Sequence, residues 1–410
     1  MSYQFRIFAQ KTVKKAAQYL GDQYVLVIDP SANYRSSIKQ FLSNLHIKKV
    51  LSVSTVKEAK RQMLTHRVGL MIVEWLSEHE NGLQFCRSLQ NKQNSKWIPY
   101  LLLSGENLRQ DIVLASEVGI DAYLLKPFSY EDFVIKLHQL ISAALEPNPV
   151  TMLLQTADLA FLDGDLEKAA QTYQAVLKGG TPSARALKGL AEIALGERNL
   201  SRAESYCSQA LTHNPEYLAA HRTLLTVYQA QKNHPKILEK AAFLNRSSPD
   251  NPKYTLILAA EYLLLHELDQ SEKYFLRTIQ IAPSLAESYK GIGSIALERK
   301  NNQKAEHYFQ KALDIDKRDV STLNSLGLAY INLGQFEKGL QKYRLALSIQ
   351  GRDHRILFNI AQAYEKSGEL EKALQYFEYS LQAEPGFEKA RRGLKNIRLR
   401  KQRQEKKSLS

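Results

Sequence analysis

The chain has 410 residues, 44% apolar and 24% charged, a balance that suits two or three soluble, core-forming domains. No apolar run approaches the roughly 20 residues needed to span a bilayer, and the first twenty residues, basic but without a continuous apolar stretch, make a poor secretory signal. The net charge of +14 is uneven, with +5 on residues 1–149, +1 on 150–387 and +8 on 388–410, so the excess is a patch on the tail and not the mark of a basic protein throughout.

After an N-terminal extension (1–21), five apolar runs alternate with helical patterns. The runs are YVLVID (24–29), KKVLSV (48–53), GLMIVE (69–74), IPYLLLS (98–104) and AYLLK (122–126). Helical stretches follow near 31–45, 55–66, 81–92, 108–119 and 130–146, and Thr55 with Glu58 forms a capping-box pattern at one helix start. Strands alternating with helices predict an α/β doubly wound, five-stranded parallel sheet covered on both faces. In such sheets function gathers beyond the carboxyl ends of the strands. Asp29, Glu74, Ser104 and Lys126 all stand at those ends. Two carboxylates, a hydroxyl and an ammonium converging on one edge suit a phosphate or metal site.

From these residues, 22–146 resembles a CheY-like receiver domain of bacterial response regulators. VLVIDPSANYR is similar to the acidic first loop and MIVEWLSEHENGL to the phosphoacceptor loop, including Gly82–Leu83 at the next helix start. LLLSG would carry the switch hydroxyl at Ser104, and AYLLKPF the switch aromatic Tyr123 and the lysine Lys126 before Pro127. The resemblance implies phosphotransfer onto an aspartate assisted by Mg²⁺. This chain departs from the pattern at the chemistry. The acceptor position holds Glu74, and the second residue of the acidic pair is Pro30, leaving Asp29 alone. Mg²⁺ demands near-ideal octahedral geometry, so losing a carboxylate weakens its site. The extra methylene of Glu74 shifts the other carboxylate by roughly 1 Å, a misplacement that can cost about a hundredfold in rate. Proline cannot stand in for an acid. The expectation is a pseudo-receiver, degenerate at its phosphoacceptor, without a cofactor and with Mg²⁺ binding weakened. Glu74 beside Lys126 could instead mimic a phosphoaspartate, incompletely, since a phosphoryl group carries more charge and more oxygens. The plainer alternative is a relic pair that simply packs. His46, His66 and His79 lack metal-ligand spacing, Glu78 and Glu80 read as a solvated loop, and Trp75 as a packing residue.

A period of 34 residues then runs through 150–387. Pro215, Pro249, Pro283 and Pro385 share one grid, Lys317 and Gly351 fill its other slots, and Thr181, beside Pro182, opens it. Twelve places before each slot stand Ala169, Ala203, Ile237, Ser271, Ala305, Gly339 and Ala373. Twenty-four places before stand Ala157, Ala191, Leu225, Ala259, Gly293, Gly327 and Ala361. Small residues at a fixed period mark close helix approach, and predict an all-α solenoid of about seven stacked helix pairs. Aromatics recur eight places before the slot (Tyr173, Phe275, Phe309, Tyr343, Phe377), as a core ladder. Leu225 and Ile237 make the third unit the weakest and suggest a local bend there. These units resemble tetratricopeptide repeats. The resemblance implies a concave groove, lined by the first helix of each pair, that accepts a peptide or helix from a partner. Arg185, Lys188, Glu192, Arg222, Lys253, Glu287, Lys290, Asn324, Arg355, Phe358 and Gln362 are the expected lining, and Lys290 with Asn324 is only a fragment of a carboxylate clamp.

Phe387, Ala390, Leu394 and Ile397 recur at helical spacing and predict that 388–410 begins as a helix capping the last repeat, with a basic end that frays over 401–410. RNA, DNA or an anionic membrane is the sharper reading of that tail, and nucleic acid is not the expected partner, since no base-reading module accompanies it. Cys86 and Cys207 form neither a disulfide framework nor a metal spacing, and read as free thiols in a reducing cytoplasm. No catalytic constellation appears, so an enzyme is not expected. The leading reading is a cytoplasmic two-component signalling adaptor. Its degenerate receiver would dock a sensor kinase or another receiver, and its repeats a second protein, with homodimerisation through 108–146 open by resemblance. The alternatives are a phosphorylation-competent regulator that switches the repeats and a nucleic-acid binder acting through the tail.

Overall fold

The computed structural model describes residues 3–74, 76–77, 80–81, 85, 98–105, 122–180 and 182–408. The expected helix at 108–119, most of that at 81–92, and Trp75, Glu78, His79, Gly82–Leu83, Cys86 and Thr181 lie outside those residues. The chain forms two compact units, Met1–Lys236 and Ile237–Ser410.

The first unit opens with α1 (Tyr3–Leu20), a helix where only an extension was expected. Thr12, Ala16 and Leu20 are its buried face, at a spacing of four that is legible in the sequence. The parallel sheet comprises β1 (Tyr24–Ile28), β2 (Val50–Val53), β3 (Val68–Glu74), β6 (Tyr100–Ser104) and β7 (Ala122–Leu125), in the order β2-β1-β3-β6-β7. A short antiparallel hairpin, β4 (Leu76–Ser77) with β5 (Glu80–Asn81), follows β3 where a loop was expected. The helices between are α2 (Ala32–Asn44) and α3 (Val56–Gln62), and α4 (Tyr130–Leu145) closes the sheet. Alternate side chains of one strand serve two cores. Val25 and Val27 join Ile38, Leu101, Phe133 and Leu137 on one face, and Leu26 and Ile28 join Val56, Met71 and Leu102 on the other. Central strands therefore read as unbroken apolar runs.

Helix starts carry their own signals. Thr55 accepts from the Glu58 N–H, as the pattern predicted, and the Glu58 carboxylate reaches back to the Ser54 N–H and hydroxyl. A full reciprocal capping box, not anticipated, sits at Ser129 and Asp132 and starts α4.

Helix pairs follow. In the first unit they are α5 (Pro149–Leu162) with α6 (Leu166–Lys178), and α7 (Ala184–Gly196) with α8 (Leu200–His213); α9 (Leu218–Gln231) comes next, and α10 (His234–Ser247) contains the division between the units, within the repeat that carries Leu225 and Ile237. The second unit contains α11 (Pro252–Leu264) with α12 (Leu268–Ile281), α13 (Ala286–Glu298) with α14 (Asn302–Ile315), α15 (Val320–Asn332) with α16 (Phe336–Gln350), and α17 (His354–Ser367) with α18 (Leu370–Ala383). The small residues of the period are buried. A Cβ on Gly293 would come within 2.6 Å of the Phe309 ring, and one on Gly327 within 2.5 Å of Tyr343, so these positions let aromatic and backbone meet. The turn inside each pair repeats too. Gly164, Arg198, Lys232, His266, Lys300, Gly334 and Gly368 all have positive φ, at intervals of 34. Only three are glycine, which hides the turn from a sequence scan.

Last comes α19 (Glu388–Ser408), helical through the segment expected to fray. Ala390 and Ile397 are fully buried against the last pair, joined by Phe387 and Leu394.

Candidate functional site

Strand register builds the pocket. Ile28 pairs with Val73, so Asp29 and Glu74 end adjacent strands side by side; Ser104 pairs with Leu125, so Lys126 follows one residue on. Asp29, Glu74, Ser104 and Lys126 thus meet at one carboxyl edge, as the sequence predicted. Lys126 Nζ lies 2.6 Å from Asp29 Oδ2 and also bonds Glu74 Oε2. Asp29 is fully buried and accepts the Ser31 N–H at 2.8 Å. Burial pushes the Glu74 carboxyl up, helped by neighbouring Asp29 and opposed by Lys126. Ser104 Oγ is buried without a hydrogen-bond partner among the described residues. Pro30, at the position of the second acid, is exposed.

Two residues that sequence reasoning passed over complete the pocket. The Tyr34 ring stands with its centroid 4.2 Å from Lys126 Nζ. Arg35 Nη1 donates to the carbonyls of Asp29 at 2.5 Å and Pro30 at 2.8 Å, stapling the loop between β1 and α2. Both lie in the VLVIDPSANYR segment, where the missing acid drew attention away from the aromatic. Tyr123, the expected switch aromatic, is half-buried with Lys136 Nζ 5.4 Å from its ring centre.

The donor set fits Mg²⁺ poorly. Two carboxylates face the pocket and one ammonium already holds both, and among the described residues no group of three or more His, Cys, Asp or Glu side chains gathers anywhere.

The expected groove residues divide. In the first unit Arg185 is engaged by Asp158, whose carboxylate also takes the Tyr173 hydroxyl, and Lys188 pairs with Glu192 at 2.5 Å; Arg222 is half-buried on α9. In the second unit Lys253 is exposed, Lys290 pairs with Asp319 at 2.9 Å, and Arg355 with Asp353 at 3.1 Å. Asn324 Oδ1 accepts from Asn359 Nδ2 at 2.8 Å, a rung the sequence did not reveal because the two positions are 35 apart, one off the period. Phe358 is half-buried, and its ring packs on Phe377 (centroids 5.7 Å apart) and Phe387 (5.3 Å) beneath the cap.

Three cations of the basic tail are paired with acids of the last helix pair. Arg398 pairs with Glu378 and Arg400 with Glu365, each at 2.9 Å, and Lys401 pairs with Glu371. These cations fasten α19 to the last helix pair. Cys207 is buried, which pushes its thiol up to about 12 and keeps it unreactive.

Residues 25–138 match the model of the response regulator receiver domain, and residues 154–218, 286–319, 320–353 and 354–387 match models of the tetratricopeptide repeat. The regulatory protein VirG of Agrobacterium fabrum is 31% identical over 116 residues, 28% of this chain and 44% of that protein. VirG of Agrobacterium tumefaciens is 29% identical over 129 residues, 31% of this chain and 46% of that protein. The chain spans under half the length of these curated relatives. Among solved structures, a tetratricopeptide repeat protein from Parabacteroides merdae aligns over 60% of this chain and 98% of its own, at 15% identity and a TM-score of 0.44. Pseudomonas aeruginosa PilF aligns over 51% and 95%, at 18% identity and a TM-score of 0.43. No described helix is long and apolar enough to cross a membrane.

Proposed function

Since the chain joins a response-regulator receiver domain to tetratricopeptide repeats, we propose that it serves bacterial two-component signalling as a cytoplasmic adaptor whose receiver no longer accepts phosphate. The observation that carries this reading is the double engagement of Lys126 by Asp29 and Glu74. The lysine that would meet a phosphoryl oxygen is committed to two carboxylates. The acceptor is a glutamate, and the second acid is Pro30. Glu74 then fixes the domain in one state by contact alone. The repeats recruit a second protein, and tethering two partners raises their effective concentration without new chemistry. On this reading the receiver docks a sensor kinase or another receiver. A homodimer through α4 has to contend with α1, which packs on that helix through a 2.9 Å Thr12–His138 contact and a 2.8 Å Lys15–Ser142 hydrogen bond.

The test is incubation of the unaltered chain with acetyl phosphate and Mg²⁺, followed by affinity purification from the native organism. The adaptor reading expects no acid-stable, base-labile phosphoryl group and stable complexes with signalling proteins. Magnesium-dependent phosphoryl uptake would sink it. That outcome would favour the second reading, a working regulator, which the unpartnered Ser104 hydroxyl supports because it stands ready for an oxygen.

A further inference from the structure

We infer that Tyr34 is an aromatic lid on the Lys126 ammonium, and that it closes the pocket independently of the substitutions at positions 30 and 74. This rests on the reading that the pocket is inert and adds the residue that seals it. An ammonium has three N–H donors. Lys126 gives one to Asp29 and one to Glu74, and the Tyr34 ring faces it at 4.2 Å. That distance is well inside the range in which a ring face attracts a cation, and the attraction strengthens where water is excluded. Water is scarce here, since the side chains of Lys126 and Glu74 are 11% and 14% exposed and that of Asp29 is 1%.

The ring is held in place from two sides. It packs on Phe128, with centroids 5.8 Å apart. Its own loop is pinned by Arg35 to the Asp29 and Pro30 carbonyls and by the Ser31 N–H to the Asp29 carboxylate. An incoming phosphoryl oxygen would have to displace the ring before it could reach the ammonium. Restoring the two acids alone therefore leaves the pocket shut.

The first measurement is acylation of Lys126 by a small water-soluble ester in the full-length chain. It is read by peptide mass spectrometry against Lys49, whose side chain is 47% exposed. Tyr34→Ala should raise the Lys126 signal roughly two- to thirtyfold, the range spanned by cation–π contacts. Tyr34→Leu, which keeps apolar packing on Phe128, should do the same, and Tyr34→Phe should leave the signal unchanged. No rise in Tyr34→Ala and Tyr34→Leu with native circular dichroism would overturn the lid, as would a Tyr34→Phe variant that labels like Tyr34→Ala.

The second measurement adds acetyl phosphate and Mg²⁺ to the Pro30→Asp/Glu74→Asp chain with and without Tyr34→Ala. In a competent pocket the carboxylate oxygen at position 74 bonds to phosphorus as the bond from phosphorus to the acetate oxygen breaks and acetate leaves. The lid predicts faster uptake with Tyr34→Ala. Equal uptake in both overturns the lid and leaves the inert reading intact, whereas uptake by the unaltered chain overturns the inert reading and the lid together. The acylation ratio decides the lid even where neither variant takes up phosphoryl.

Discussion

Lys126 Nζ sits 2.6 Å from the fully buried Asp29 carboxylate, and it is the only described cation bonded to that carboxylate. Glu74 leans on the same ammonium. Removing one partner of a buried ion pair costs far more than the pair itself contributes, because a charge is left without compensation. Lys126→Met should therefore destabilise the receiver by about 3–5 kcal/mol. Lys126→Met/Glu74→Gln should recover part of that loss by removing one of the two stranded carboxylates. Urea melts of the two variants, monitored in the near-ultraviolet, check the order. A Lys126→Met variant as stable as the unaltered chain would show that the pair is not held as described.

The repeated left-handed turn gives a second expectation. Arg198, Lys232, His266 and Lys300 hold φ between 55° and 59°, where glycine occupies the equivalent place in three other repeats. A side chain costs roughly 1–2 kcal/mol in that conformation. Glycine loses more entropy on folding, which returns part of the difference. Each change to glycine should thus stabilise its repeat by about 0.5–1 kcal/mol. His266→Gly should gain least, because it also removes the 2.7 Å contact with Glu298. Thermal melts of the four single variants test the ranking.

How far the sequence revealed this molecule depends on what each signal encodes. Strand runs and the 34-residue period record burial, and burial is periodic, so the sheet, the helix pairs and the four pocket residues were legible. Phe358 stands on the first helix of its pair, and its contact with Phe387 of the capping segment is a packing partner that the 34-residue period does not encode. Arg185 occupies an expected groove position, and its partner Asp158 lies 27 residues away on the preceding pair, a pairing the period does not encode. Tyr34 and Arg35 act through a loop whose shape depends on bonds to carbonyls, which no residue pattern announces. Helix α1 was readable from its spacing, but its seat against α4 was not.

That seat yields a pH dependence. His138 meets Thr12 and packs at a tilt against Phe8, with ring centroids 4.5 Å apart. Burial first, then Lys15 and Lys11, hold its pKa below the ordinary 6.5. A group whose folded pKa is depressed in this way prefers to be neutral in the native state. The unfolded chain therefore binds the proton first as pH falls. The contribution is complete above pH 6.5 and is lost as pH drops below that value toward the folded pKa. Protection factors of α1 amides, corrected for the intrinsic slowing of exchange with falling pH, should drop between pH 7.5 and pH 5.5 more than those of β1. His138→Gln, which cannot be protonated, should flatten the difference. An unchanged pH profile in that variant would remove His138 from the account.

The tail supplies the last expectation. Arg398, Arg400 and Lys401 each have an acid on the last helix pair, while Lys389, Arg392 and Lys395 are exposed. Binding to phosphates draws on cations free to release counterions, and its salt slope scales with their number. A cation tied to glutamate must first give up that partner. The unaltered chain should therefore bind a random DNA duplex weakly at low salt and lose it at physiological salt. Glu365→Gln/Glu371→Gln/Glu378→Gln frees three cations, and should steepen the dependence of log affinity on log salt by roughly 2–3. Fluorescence anisotropy of a labelled duplex at several salt concentrations measures both slopes. If the unaltered chain already shows the steep slope, these pairs do not restrain the tail, and the nucleic-acid reading regains its place beside the adaptor.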